Sequence, residues 1–534
     1  MAINVLIGVG GTGAKIVESA LFLLSAGVGP KSRVVIGLVD QDNSNGNVVR
    51  TEHLLGLLGR LKGDFSGSVN AIDWKASDSE GGTPLFSIEV EPLFGDGGSA
   101  HWRPAPDNMP TLRHVLQHQE MPEDEKTLFN LLFRDESAAP ADAEQTMNLA
   151  EGYRGRAHVG AAALVSAVDH DQPEFLTRLV ELMRTSSGGD EVRIFMAGSL
   201  FGGTGAAGFP TIARMLHKLR APDNSKRIKG DKVHIGGALM LPYFQFGDPE
   251  SDSANVITSA QLLPQARVAI EFYQSLLQQE GVFDRLYVSG WDKMFPLNYH
   301  QPGRAEQRNP ALLPELVAAL AAMDFFTLEA ADLPASQPLV AARREDSAFG
   351  WSDLPAHGEL KKRLYEGLGG TLRFALWWLH RVEPAVDDRT LFGGIRTGWL
   401  KKLAGDTDWQ IDTPEARKNL KQYCELLLLW ASSMHLFSSK RLSDFALWDS
   451  GRIRKRANEN DPADPVDLHS SRSEDESLLD LSAILRASDD NDPPVDAKVV
   501  FKDLHERIPT ASSRGFGRLV AAVHRAARPF RKEA

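Results

Sequence analysis

Two stretches of the chain share one plan: an apolar run, a turn crowded with glycine, then a helical pattern. The first, INVLIGVGGTGAKIVESALFLLSAG, is apolar from Ile3 to Ile7, has glycines at 8, 10, 11 and 13, and then places Ile16, Ala20, Leu23 and Leu24 at helical spacing. The second, VRIFMAGSLFGGTGAAGFPTIARMLHKL, runs from a strand over residues 192–197 through GSLFGGTGAAG into a helix from about 206 to 219. Between them RVVIGLVDQDN reads as another buried strand, ending in acid. Nearly unbroken apolar strands alternating with helices call for a parallel sheet covered on both faces, so the fold class is α/β.

Glycine loops of this kind let a backbone approach phosphate closely, and the helix that follows offers unpaired N–H groups with a partial positive charge. Gly8, Gly10 and Gly13, with Asp40 at the end of the next strand, also match the dinucleotide fingerprint. A dinucleotide fold needs one such loop, and here there are two, the second with the Thr204 hydroxyl beside it. Neither is a Walker A loop, since Lys15 follows Gly13 one residue late. Tight strand-to-helix turns alone would also require glycines.

A chain of 534 residues is too long for one ordinary core, and a hydrophobic share of 42% with 24% charged residues is globular composition. The net charge of -12 argues against nonspecific nucleic-acid binding. A single cysteine, Cys424 in YCELLLLW, excludes a disulfide framework or a cysteine-rich zinc site, reads as a core thiol and fits the cytoplasm. No basic region precedes the first strand, and the apolar helices ALLPELVAALAAMDFF and CELLLLWASSMHLF fall short of the roughly 20 residues a membrane span needs. His158, His217 and His234 lack metal-ligand spacing, and WWLH at 377–380 reads as core.

Organisation follows from these patterns. Residues 1–308 form the α/β nucleotide-type domain with an insertion over about 56–150; 309–330 form a long helix; 331–455 a second domain; 456–498 a polar linker; 499–534 a basic segment. In NPALLPELVAALAAMDFF, Asn309 is a good N-cap with Pro310 at the first helical position, and Leu313, Leu316, Val317, Leu320 and Met323 make one stripe.

Taken in order, these pieces resemble the GTP-binding domain of the tubulin and FtsZ superfamily over roughly residues 1–340, with no likeness in the last third. GSLFGGTGAAGFPTIARML is similar to that family's signature loop, VLIGVGGTGAKIV to its first nucleotide loop, and VDQDN to the acid-bearing loop after the second strand. YRGRAHVG lies where the family has its terminal-phosphate-sensing loop, ALMLPYFQF resembles the strand after the signature, and the helix at 309 the long helix whose start faces guanine. In kind the likeness is to bacterial tubulin-like proteins. The resemblance implies a parallel Rossmann-like GTPase sheet with helices on both faces, a long central helix, and a divergent α+β or helical C-terminal region.

It also implies GTP or GDP with Mg²⁺. Gly10, Gly11, Thr12 and Gly13 would touch the phosphates, and Gly202, Gly203, Thr204 and Gly205 would wrap them. Asp40 and Asp42 would lie near Mg²⁺ or its waters, Arg154 and Arg156 at the terminal phosphate, Asn309 at the base edge and Asn255 at the ribose. The chain departs from FtsZ at Ala14 and Lys15, where FtsZ has asparagine after the first loop, and at SGWDK, where FtsZ has an Asn-Asp element. Guanine over adenine is therefore inherited from the resemblance.

In the family a neighbouring subunit completes hydrolysis with acids after the central helix. TLEAADLP supplies Glu329 and Asp332 at the family's three-residue offset, with Thr327 in place of asparagine; a solvated acidic helix end gives the same pattern. The resemblance implies head-to-tail filaments with slow, assembly-dependent GTP hydrolysis. Other readings are an E1-like ATP-dependent adenylating enzyme, suggested by GVGGTG followed by VDQDNSNGNVVR but poorly served by Cys424, an NAD dehydrogenase, and a nonhydrolysing nucleotide switch acting with protein partners, phage defence included. The terminal SSRGFGRLVAAVHRAARPFRKEA reads as a basic amphipathic segment for an acidic partner, an anionic membrane or a polymer neighbour, or as a surface helix with a solvated basic face.

Overall fold

The computed structural model describes residues 2–42, 44–66, 72, 85–95, 98–137, 143–171, 173–221, 227–246, 259–291, 294–297, 309–335, 337–343, 349–383, 386, 414–439, 445–448, 485 and 515–528. Asn255 and the polar stretch 456–484 lie outside them.

Strand β1 (Ala2–Val9) passes directly into helix α1 (Gly10–Ser25), and β2 (Val34–Val39) follows, leading to α2 (Gly46–Ser66). Short strands β3 (Val90–Pro92) and β4 (His101–Trp102) both pair with β2, so residues 56–66 and these strands belong to the main layers. Helices α3 (Glu123–Leu132) and α4 (Ala157–Asp171) enclose a small separate cluster around Leu112, Phe129, Leu149 and Tyr153. Then come α5 (Glu174–Arg184), β5 (Glu191–Ser199), α6 (Thr204–Arg220), β6 (Val233–Met240), β7 (Phe244–Phe246), α7 (Ser259–Gln278), β8 (Arg285–Trp291) and β9 (Phe295–Leu297). Helix α8 (Leu313–Thr327) precedes the edge strand β10 (Leu339–Arg343).

The sheet order is β10-β8-β6-β5-β1-β2-β3, and every pairing in it is parallel. Period-two alternation divides the strands between two cores. Leu6, Ile36, Phe195 and Ala238 face α1, α2 and α8; Val5, Ile7, Ile194 and Ile235 face α5, α6 and α7. Helices thus cover both faces of a Rossmann-like parallel sheet, as the apolar strands require.

Helix α8 starts at Leu313, after the position expected from Asn309, with Pro314 rather than Pro310 in its first turn. It is buried nearly all round, from Leu313 to Phe326, which is why its apolar residues do not reduce to one stripe. The C-terminal helices α9 (Gly370–Trp377), α10 (Pro414–Ser439) and α11 (Gly515–Ala527) join the α1 side in a continuous apolar cluster that includes Trp377, Trp378 and Cys424. The apolar face of α11, carrying Phe516, Leu519, Val520 and Val523, is fully buried, with Phe516 stacked on Phe65 and edge-on to Trp378. That face is already occupied by the chain itself. No helix among the described residues is long and apolar enough to cross a membrane.

Burial, then the Arg528 guanidinium, hold the His524 imidazole on α11 well below its usual range. Unfolded, the same ring takes up a proton near pH ~6.5, so its contribution is intact above that pH and falls below it by up to about 1.4 kcal/mol per unit. His524→Gln should therefore flatten the loss of stability between about pH 7 and 5, by about 1–2 kcal/mol, as measured by urea unfolding at both pH values.

Candidate functional site

Strand order reverses between β1 and β5: β2 and β3 run off one way, β5, β6 and β8 the other. In open parallel sheets the crevice outside the carboxyl ends at such a reversal is where ligands bind. Both glycine loops lie there, because β1 ends at Val9 and β5 at Ser199.

The loops touch through backbone. Gly10 has φ +74°, and a Cβ added there would sit 2.9 Å from the Gly205 amide nitrogen, so this position combines a left-handed conformation with a gap that admits no side chain. Neither α1 nor α6 is capped by a side chain: their N-cap residues, Val9 and Gly203, offer no acceptor. Two sets of first-turn amides and two positive dipole ends are thereby turned into one crevice. Left-handed Gly202 (φ +87°) followed by Gly203 (φ -79°) adds the alternating backbone that forms an anion-binding nest.

A third segment closes on these two. A Cβ on Gly203 would come within 2.8 Å of Tyr153 Cβ and 3.2 Å of the Gly155 nitrogen, and one on Gly152 within 3.3 Å of Asp42 Cβ. Residues 10–13, 40–42, 44–47, 152–155 and 202–205 are therefore neighbours, drawn from four distant stretches of sequence.

Asp40 joins them. Its Oδ1 accepts from Thr204 Oγ1 at 2.9 Å and from the Asp42 amide at 3.3 Å; its Oδ2 accepts from Asn45 Nδ2 at 2.8 Å. His101 Nε2 lies 2.8 Å from the Asp40 carbonyl oxygen. Burial first, then the Asp42 carboxylate, push the Asp40 carboxyl above its usual range. Asp42 in turn accepts from the Ser44 amide and hydroxyl, both at 2.9 Å. Among the described residues no group of three or more His, Cys, Asp or Glu side chains could hold a metal ion. Two buried carboxylates with oxygen-only donors suit Mg²⁺ nonetheless, since that ion keeps several waters and takes one or two carboxylates plus ligand phosphates.

Arg154 and Arg156 flank the third segment, each beside an acid: Arg154 Nη2 bonds Glu151 Oε2, and Arg156 Nε lies 3.6 Å from Glu144 Oε1. Asn309 is buried beside α2: its amide donates to Asn47 Oδ1 at 3.0 Å, its carbonyl accepts from Arg50 Nη1 at 3.2 Å, and its Oδ1 has no hydrogen-bond partner among the described residues. It is not an N-cap, since α8 begins beyond it. Glu329 and Asp332 are exposed at the far end of α8, where the Asp332 carbonyl accepts from Arg285 Nη1 at 2.8 Å at the start of β8. The chain does not bring them to the glycine loops.

Sequence reasoning missed a buried group behind the first loop. Lys15 pairs with Glu315, Tyr243 donates to Glu315 Oε1 at 2.6 Å, and the Leu312 amide donates to Glu315 Oε2 at 2.9 Å. The signal was present as lone opposite charges inside two apolar helices, at Lys15 and Glu315. Asn45 and Asn47, which tie Asp40 and Asn309 to the start of α2, were also missed.

The chain matches no protein-family profile, and comparisons with curated proteins and with solved structures find no match either.

Thr204→Val removes one donor to a buried carboxylate at near-constant volume. It should lower stability by about 1–3 kcal/mol in chemical denaturation, the cost of an under-satisfied buried acid. Gly10→Ala should match or exceed that loss.

Proposed function

We propose that the chain is a tubulin/FtsZ-like protein that binds GTP or GDP with Mg²⁺ between its two glycine loops and assembles head to tail into filaments, with slow hydrolysis completed by the neighbouring copy. The observation that carries this reading is the bond from Thr204 to Asp40. In a dinucleotide site the acid at the end of the second strand is open to a ribose hydroxyl. Here it is bound to the second glycine loop, so the two loops and the acid act as one phosphate-facing unit.

In this reading the amides of residues 10–13 and 202–205 receive the phosphate oxygens. Asp40 and Asp42 would hold Mg²⁺, which supplies positive charge against the β- and γ-phosphates. Asn309 Oδ1, buried and lacking a donor among the described residues, faces the demand that a base N–H or amine would meet. The adenylating alternative loses ground, because Cys424 is fully buried and burial raises its thiol well above the usual range.

Assembly enters through distance. Helix α8 has 15 residues, roughly 22 Å at about 1.5 Å each, and it separates the glycine-loop end from Glu329 and Asp332. Acids on that far end could position water on a γ-phosphate only across a contact between copies, which is heterologous and non-closing.

Electron microscopy and sedimentation with GTP, GDP and a slowly hydrolysed GTP analogue test ligand and assembly together. Turnover per molecule should rise with protein concentration, and Asp332→Asn should cut it about tenfold or more while nucleotide affinity stays within about twofold. Turnover that is flat across a wide concentration range, with no sedimentable polymer, would sink the reading.

A further inference from the structure

Three of four consecutive residues in the third segment have positive φ: Gly152 (φ +76°), Arg154 (φ +45°) and Gly155 (φ +77°). For the arginine this is a strained conformation of the kind held at ligand clamps and switches. The backbone at Tyr153 and Gly155, on either side of Arg154, lies against the second glycine loop, while the Arg154 guanidinium turns back to Glu151. Glu151 is itself set for this role. It closes a short turn, Leu149–Glu151, that Asn148 caps, and Asn148 Nδ2 lies 3.3 Å from its second carboxylate oxygen.

Burial, then the Arg156 guanidinium, hold Arg154 below its usual range. Arg156 lies along Glu144, an almost fully buried acid whose other oxygen accepts from the Arg134 amide at 3.1 Å and which also lies 3.0 Å from His158 Nε2. Each arginine thus has an internal carboxylate beside it.

We infer that Glu151 is an internal competitor for the terminal phosphate: the acid holds Arg154 until a triphosphate displaces it, and so sets how strongly the site prefers triphosphate to diphosphate. This rests on the nucleotide reading above. A diphosphate lacks the oxygens that replace the carboxylate, so it leaves the pair in place. Glu151 is a positioning residue that acts through Arg154. The exchange is one charge-assisted pair for another, and the phosphate gains because it offers more acceptor oxygens and charge.

The test is binding of GDP and of a slowly hydrolysed GTP analogue to the full chain, by displacement of a fluorescent nucleotide at fixed salt. Releasing a partly exposed ion pair frees the arginine, so Glu151→Gln should tighten the triphosphate about three- to fivefold while GDP changes less than about twofold. Glu151→Asp, which keeps the charge, should restore the parent ratio. Arg154→Ala should abolish the triphosphate preference, and Glu151→Gln added to it should do nothing more. Equal shifts for both nucleotides, no shift, or a preference that survives Arg154→Ala overturns the inference and leaves the nucleotide reading standing. If the parent protein binds neither nucleotide, both fall.

Discussion

One buried ion pair fixes how the candidate site is held. Lys15 on α1 and Glu315 on α8 are 2% and 0% exposed, so any shift between the two helices would strand a charge in the core. Losing one partner of such a pair costs about 3–5 kcal/mol, whereas apolar replacement of both is often neutral. The pair's effect is therefore on register more than on stability. Burial pulls the Lys15 ammonium below its usual range against the opposing pull of Glu315, and burial, then Glu315, raise the Tyr243 hydroxyl well above its own. Lys15 behind the first glycine loop, Tyr243 after β6 and Glu315 at the start of α8 thus share one network.

The C-terminal third makes that network rigid from outside. Tyr423 and Ser25 share a hydrogen bond of 2.6 Å, Trp430 Nε1 donates to Ser19 at 3.2 Å, and Asn419 donates to Asp64 at 2.9 Å. Helices α9, α10 and α11 thus form a further layer over α1 and α2. This explains why α1 is buried on almost every side although it begins at a ligand-type loop. A helix walled in by the sheet, α8 and α10 can present its first-turn amides without rocking.

The sheet and its loops were legible because their signals are local. Apolar runs fix β1, β2, β5 and β6, and glycine punctuation fixes where α1 and α6 start. The helix carrying CELLLLWASSMHLF and the burial of Cys424 were readable for the same reason. What failed depended on contacts across the chain. The start of α8 slipped from Asn309 to Leu313 because Asn47 and Arg50 on α2 hold the Asn309 backbone, so the asparagine cannot act as a cap. The stretch taken as an insertion from about residue 56 hid the rest of α2 and two edge strands, since strands of two or three residues carry no usable periodicity. Arg154 and Arg156 were read only as candidates for the terminal phosphate, and their partners Glu151 and Glu144 went unnoticed because no sequence pattern links them.

The two ends of the molecule set the final constraint. Every strand of the main sheet points the same way, so all loops rich in amides gather at one edge, and the chain returns through α8 to the other. At the first edge a phosphate would meet the helix ends, the arginines and the buried Asp40, whereas the exposed carboxylate pair Glu329 and Asp332 lies elsewhere. The far edge has such a pair, with Asp332 fixed through its carbonyl by Arg285 and its side chain left exposed. On the function proposed above, a single copy with this connectivity separates binding from attack. In the proposed reading, hydrolysis is then a property of the contact and not of the chain, and the ligand is cleaved only where a second molecule has stacked on the first.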